Sequence, residues 1–229
     1  AGNPGVFLPG VAMDLNVARD QMIGHQLRAW DIGDSRVLDV MGAVPRPDFV
    51  PAAYRNLAYA DMAIPIGRGH EMLAPKIQGR LLQALELNPG DEVLDVGTGT
   101  GFLAACLARL AGQVTSIDIH EEFTELARKQ LASAGVHGVR LLTGDVFGTP
   151  LSRRFDAIAV TGSLPLYPKA FEDWLKPGGR MFCMVGVLPI MEATLVRKGP
   201  DGVASRREAL FETVAPALEH APSGDTFRF

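Results

Sequence analysis

Cysteine is scarce. Only Cys106 and Cys183 occur in 229 residues, with no ligand-like spacing between them, which excludes a disulfide framework and a cysteine metal site and reads both as buried thiols. No apolar run approaches the ~18 residues of a membrane span, and the first residues lack the charged-then-apolar pattern of a secretory signal. The cytoplasm is therefore the expected compartment, and no membrane partner is expected. Basic residues are not in excess, 22 Lys and Arg against 26 Asp and Glu for a net charge of −4, so the electrostatic footprint of a nucleic-acid binder is missing. Internal repeats are lacking, and no His, Cys, Asp and Glu cluster has metal-ligand spacing, so no metal is expected. What is present is a hydrophobic content of 47%, enough for one large domain with an ample core.

The central stretch is D-E-V-L-D-V-G-T-G-T-G-F-L-A-A, residues 91–105. A short apolar run ends in glycines at alternate positions, and a helical pattern (Phe102, Leu103, Leu107, Leu110) starts at once, predicting strand, tight turn and helix. Gly97 and Gly99 let the backbone bend and approach a ligand, while the helix N-terminus presents free N–H groups to its polar part. The same pattern also suits a tight βα turn that holds nothing.

Upstream, residues 1–12 are rich in Gly and Pro without a period and read as a disordered extension or an expression remnant, with Met13 a natural start. Residues 14–30 and 34–41 carry apolar residues at helical spacing behind Asp14 and Asp34 caps. Pro45, Pro47 and Pro51 then limit residues 44–61 to an ordered loop with one short helix. Residues 64–75 read as a glycine-containing loop, after which Pro75 opens a helix.

Downstream, residues 114–118 form a strand ending in Asp118, whose carboxyl group can accept from both hydroxyls of a ribose or cap the next helix. A helix over 121–134, a strand over 139–143 followed by Gly144-Asp145-Val146, and a strand over 155–160 ended by Thr161 come next. Residues 168–175 form a short helix, 180–186 a fifth strand, and 192–198 with 208–214 a hairpin around the Gly199–Gly202 turn. Near-continuous apolar strands alternating with helices predict an α/β fold: a doubly wound, mostly parallel seven-stranded sheet with N-terminal helices and a C-terminal antiparallel hairpin. A ligand should lie across the strands' carboxyl ends.

A dinucleotide needs a second mononucleotide half, whereas this chain closes in a hairpin and leaves room for one nucleoside. The set D-V-G-T-G-T-G, Asp118, G-D-V at 144–146 and L-K-P-G-G at 175–179 resembles the class I methyltransferases that use S-adenosylmethionine. V-P-R at 44–46, F-V-P at 49–51, Y-R-N-L-A-Y at 54–59, P-I-G at 65–67 and N-P-G-D-E-V-L-D-V-G-T-G-T-G at 88–101 resemble, more narrowly, the protein-L-isoaspartate O-methyltransferase family, over roughly residues 19–215.

The resemblance implies a Rossmann-like fold and S-adenosylmethionine as cofactor, with S-adenosylhomocysteine as product. It implies carboxyl methylation of isoaspartyl residues in damaged proteins, hence protein repair with protein or peptide partners. Asp95, Gly97, Thr98, Gly99 and Gly101 would serve the methionine and ribose parts, Asp118 and Ile119 the ribose, and Asp145 and Val146 the adenine. Thr161 would face the reacting centre. Residues 13–229 would be one domain, 13–88 a helical and loop substrate cap and 89–229 the cofactor-binding sheet.

The family's loop before the proline that matches Pro75 reads roughly G-Q-T-I-S-x-P. Here Glu71 stands at the threonine position and Leu73 at the serine position, and His70 is the remaining polar candidate. Leucine cannot hydrogen-bond a carboxylate and glutamate repels one. Two other readings therefore stay open from the residues: a methyltransferase with a different acceptor and Glu71 or His70 as base, or a non-catalytic cofactor-binding module presenting residues 44–61 to a partner.

Overall fold

The computed structural model describes residues 14–223; the extension expected at 1–12 lies outside them. Asp14 caps α1, Leu15–Gln21, through a side-chain bond from the Asn16 N–H. The helix then widens into a π-helical segment, Met22–Leu27, whose Met22 and Leu27 are buried. The single helix expected over 14–30 is thus two helical forms in succession. Asp34 caps α2, Ser35–Ala43, which buries Val37, Leu38 and Met41. The proline-rich stretch forms two 3₁₀ turns, Arg46–Asp48 and Ala52–Leu57.

The expected loop at 64–75 contains regular structure. Strand β1, Ile64–Gly67, pairs antiparallel with β2, His70–Met72. The turn between them has positive φ at Gly67 (107°), Arg68 (53°) and Gly69 (78°), a conformation that two glycines make accessible. A strand of three or four residues is too short for an alternation pattern to reveal it. Helix α3, Pro75–Ala84, follows with Pro75 in its first turn.

The main sheet has the order β5-β4-β3-β6-β7-β8-β9. Its members are β3, Glu92–Val96; β4, Gln113–Asp118; β5, Val139–Thr143; β6, Phe155–Leu164; β7, Leu175–Val187; β8, Ile190–Lys198; and β9, Ser205–Thr213. Pairings from β5 through β7 are parallel, and β7–β8 and β8–β9 are antiparallel. The expected seven strands and closing hairpin are therefore present. Residues 169–174 form a 3₁₀ helix, and β7 begins at Leu175, ahead of the expected strand.

Helices α4, Phe102–Ala111, and α5, Glu121–Ser133, connect β3 to β4 and β4 to β5. Alternate residues of β3 serve opposite faces. Val93 joins the core shared with α2, α3, α4 and the N-terminal segment, while Leu94 and Val96 join Ile117, Ile158, Val160 and Met181 on the other side. Residues 14–88 therefore share one hydrophobic core with the sheet. The chain steps outward from β3 to β5 and then crosses back to β6, so its direction reverses between β3 and β6. In open α/β sheets that reversal opens a crevice at the strands' carboxyl ends.

Candidate active site

Gly97 leaves β3 with φ 97°, and a Cβ there would collide with the Thr161 hydroxyl. That hydroxyl donates to the Val96 and Gly97 carbonyls at 2.9 and 3.0 Å, tying the end of β6 to the glycine turn. Gly99, at φ 50°, gives its N–H to Asp118 Oδ2 at 2.9 Å. Asp118 Oδ1 accepts the His120 N–H at 3.0 Å. Two of the roughly four acceptor positions on Asp118 are thereby used, leaving capacity for a ligand's hydroxyls.

A cleft of about 670 Å³ of empty space, its open mouth included, runs across these strand ends. Gly97, Gly99, Asp118, Ile119, Asp145, Val146 and Thr161 line it, as does His70. Asp145 accepts the Phe147 N–H through Oδ1 and pairs with His220 Nδ1 through Oδ2, both at 2.9 Å. Against the upward push of burial, these bonds hold its carboxyl group below the usual carboxylate range.

Three further residues of the expected set, Gly101, Thr98 and Asp95, do not line this cleft. Gly101, with φ 87°, caps α4, and a Cβ there would lie 2.9 Å from the Ala127 Cβ, so its bareness serves the packing of α4 on α5. Thr98 is buried, with its hydroxyl 2.6 Å from Ser116 Oγ. Asp95 is fully buried behind the turn. Ser116 donates to its Oδ2 at 2.7 Å, so Thr98 in turn donates to Ser116, while Asp95 Oδ1 has no partner among the described residues. Burial pushes the Asp95 carboxyl up to about 7, against the lowering bond from Ser116 and with the nearby Asp118 adding to the rise.

A second, smaller cavity adjoins the cleft, sharing Ile66, Glu71, Gly97, Gly99 and Thr161 and adding Leu73, Gln78 and Phe102. Leu73 is thus one step from the glycine turn, and its position is set from behind. Arg46, the arginine of V-P-R, is fully buried. It donates to the Leu73 carbonyl at 2.8 Å, to the Ala58 carbonyl at 2.7 Å and to Gln78 Oε1, with its guanidinium 4.7 Å from the Phe102 ring centroid. Burial lowers its pKa to about 10, so it is a cation at neutral pH, and among the described residues it has no carboxylate partner.

The segment after β9 contributes residues that the sequence patterns did not single out. Ser163 N–H donates to the Pro216 carbonyl at 2.8 Å, and Leu218 N–H donates back to the Ser163 carbonyl at 2.9 Å. A Cβ on Gly162 would lie 2.6 Å from Leu218 Cδ2, so that glycine makes room for the segment. Glu219 Oε1 then lies 3.1 Å from His70 Nε2 and 2.8 Å from His120 Nε2. Hydrogen bonds from the two histidines hold the Glu219 carboxyl below its ordinary range. His120 and Glu219 are 50 and 149 residues from His70, a separation at which spacing carries no signal.

The donor set fits S-adenosylmethionine. A Cβ-free turn admits the close approach of a ligand's backbone-like part, two carboxyl groups at strand ends suit ribose hydroxyls and an adenine amino group, and Ile119, Val146 and Phe123 supply apolar walls. A doubly wound sheet with one nucleoside site at its reversal point, closed by a hairpin in place of a second mononucleotide half, defines a class I methyltransferase dependent on S-adenosylmethionine.

The family model described as Protein-L-isoaspartate(D-aspartate) O-methyltransferase matches residues 18–211, and the chain belongs to that family. A protein-L-isoaspartate O-methyltransferase of Koribacter versatilis is 42% identical over 192 residues, covering 83% of this chain and 85% of the relative. One from Methylorubrum extorquens is 44% identical over 193 residues, 82% of this chain and 83% of the relative. A crystal structure from Plasmodium falciparum, assigned to the same activity and solved with S-adenosyl-L-homocysteine, superposes with a TM-score of 0.76 at 18% identity, covering 88% of this chain and 98% of that one. At that identity the superposition speaks for the fold. Among the described residues no helix is long and apolar enough to cross a membrane.

Proposed function

We propose that this protein methylates the free carboxylate of L-isoaspartyl residues in damaged proteins, in the small cavity between Leu73 and Thr161. The observation that carries the reading is that the family match spans residues 18–211, and so includes the V-P-R turn, the β1–β2 hairpin and the acceptor-side cavity as well as the cofactor sheet. In this reading residues 14–88 are the substrate cap, built on the same core as the sheet.

The proposed residue roles are supported by which side chains line the cleft. Gly97 and Gly99 admit the methionine and ribose parts of the cofactor, Asp118 and Ile119 hold the ribose, and Asp145 and Val146 the adenine. Thr98, Gly101 and Asp95 act from behind, fixing the turn. When bound, S-adenosylmethionine supplies a methyl group on a positively charged sulfur. The acceptor carboxyl has an ordinary pKa of ~4 and is ionised at neutral pH, so no general base is required. The chain's task is then to position the carboxylate in line and to exclude water. Thr161 stands on the wall common to both cavities. Leu73 contributes an apolar surface where a hydroxyl would otherwise bond the carboxylate. The buried Arg46 cation, bonded to the Leu73 carbonyl, offsets part of the repulsion from Glu71.

The test is transfer of radiolabelled methyl from S-adenosylmethionine to an isoaspartyl peptide, with the matching aspartyl peptide as control. Label confined to the isoaspartyl peptide is expected. No label on it, from a preparation shown to bind the cofactor, would remove this acceptor. It would favour the second reading, supported by Leu73 and Glu71, in which the same methyl donor serves a different acceptor.

A further inference from the structure

His70 on β2, His120 at the start of α5 and Glu219 in the C-terminal segment bring their side-chain ligand atoms within 4.8 Å of one another. The three separations are 3.3 Å between the two Nε2 atoms and 3.1 and 2.8 Å from these to Glu219 Oε1. Two imidazole nitrogens and a carboxylate oxygen around a tetrahedral zinc ion, at the usual bond lengths near 2.1 Å, stand about 3.3 to 3.4 Å apart. The separation of the two rings matches one edge of such a site, and Glu219 completes the face by moving outward a few tenths of an ångström.

Hydrogen bonding alone satisfies the arrangement poorly. One carboxylate oxygen must accept from both rings, which sets two N–H groups side by side, or else one nitrogen keeps a lone pair facing another acceptor. A cation takes both nitrogen lone pairs and the carboxylate at once. The rings are also held in place, with Phe123 edge-on to His70 at 5.9 Å and to His120 at 5.5 Å between centroids. The His120 backbone is fixed by its bond to Asp118, and Glu219 follows Leu218, which is fixed to Ser163.

We propose that His70, His120 and Glu219 form a site for a divalent cation of the zinc class, which clasps the C-terminal segment to the β1–β2 hairpin across the mouth of the cleft. Two imidazoles and one carboxylate select a borderline metal over magnesium or calcium, which favour all-oxygen shells. The three ligands come from β2, the start of α5 and the C-terminal segment, all lining the cleft, so a bound ion opposes their separation. That the clasp retains the cofactor rests on the reading of the cleft as the S-adenosylmethionine site.

The full-length protein is titrated with Zn²⁺ alone, without cofactor, using isothermal calorimetry with Mg²⁺ as the control cation. One equivalent is expected to bind in the micromolar range or tighter, with no response to Mg²⁺. His120→Ala and the conservative Glu219→Gln should each weaken it at least tenfold. Co²⁺ should give the visible absorption of a tetrahedral site, a signature that needs no variant. No saturation at one equivalent, or affinity unchanged in both variants, would overturn the site. Zinc should also slow release of S-adenosylhomocysteine several-fold in the parent but not in Glu219→Gln. Tight zinc binding with unchanged release would overturn the clasp. Failure of the cofactor to bind at all would count against the reading of the cleft, separately from the metal titration.

Discussion

The cleft has two walls built in different ways. The glycine wall, from Val96 to Thr100, takes its shape from its own closely spaced glycines and is pinned by the ends of the neighbouring strands, with Thr161 locking Gly97, Asp118 taking the Gly99 N–H and Ser116 the Thr98 hydroxyl. The hairpin wall, from Ile64 to Leu73, takes its position from residues far away: Arg46 holds the Leu73 carbonyl from 27 positions upstream and Glu219 meets His70 from 149 positions downstream. A wall made locally tolerates changes elsewhere in the chain. A wall held by distant contacts can change its chemistry, as at Glu71 and Leu73, while the backbone stays where it is.

The sharpest way to break the local wall is Gly97→Ala. The new Cβ meets the Thr161 hydroxyl at a positive φ of 97°, and together clash and strain of ~3 kcal/mol should weaken S-adenosylmethionine binding on the order of 100-fold by calorimetry. An alanine that binds the cofactor normally would mean that the turn is not the cofactor's seat.

Arg46→Met does the same to the distant wall. It strips donors from the Leu73 and Ala58 carbonyls and from Gln78 in a buried place, for a loss of about 3 kcal/mol in urea unfolding. An effect below ~1 kcal/mol would show that the hairpin is held by apolar packing instead.

Asp95 tests how far the local wall has been made at the expense of stability. Its folded pKa, near 7, exceeds that of the unfolded chain, ~3.9, so between these values the fold holds a proton that the unfolded chain has released. Stability from this group is therefore complete below pH 4, falls as pH rises to about 7 and is level above. Asp95→Asn removes the dependence, and its advantage in thermal unfolding should grow across that window to about 4 kcal/mol. A constant difference from pH 4 to 8 would contradict the raised pKa.

The smallest effect is expected at Leu73→Ser. A hydroxyl beside the acceptor carboxylate is worth about 1 kcal/mol, so the KM for an isoaspartyl peptide should fall several-fold with kcat little changed. Unchanged KM would place the carboxylate away from residue 73.

Much of this was legible in advance. The seven strands, the closing hairpin and the placement of Gly97, Gly99, Asp118, Asp145, Val146 and Thr161 along one cleft follow from runs and turns that repeat the physics of a parallel sheet. Gly101 reads the same way as Gly97 in the sequence, yet its missing side chain makes room for Ala127, because a glycine shows only that space is needed and not by what. The β1–β2 hairpin escaped notice because three or four residues cannot display a period, and the π-helical turn at Met22–Leu27 keeps the apolar spacing of an ordinary helix.

By itself, then, the sequence determined the sheet, the glycine turn and the class of chemistry, since each depends on neighbours within a strand, a turn or a helix. Only the tertiary structure decided what surrounds them. It put the buried Arg46 cation behind Leu73, left one oxygen of Asp95 without a partner among the described residues, and joined His70, His120 and Glu219 from three elements along the cleft. Burial and long-range contact set the charge and reach of those groups, and neither is written in the order of nearby residues.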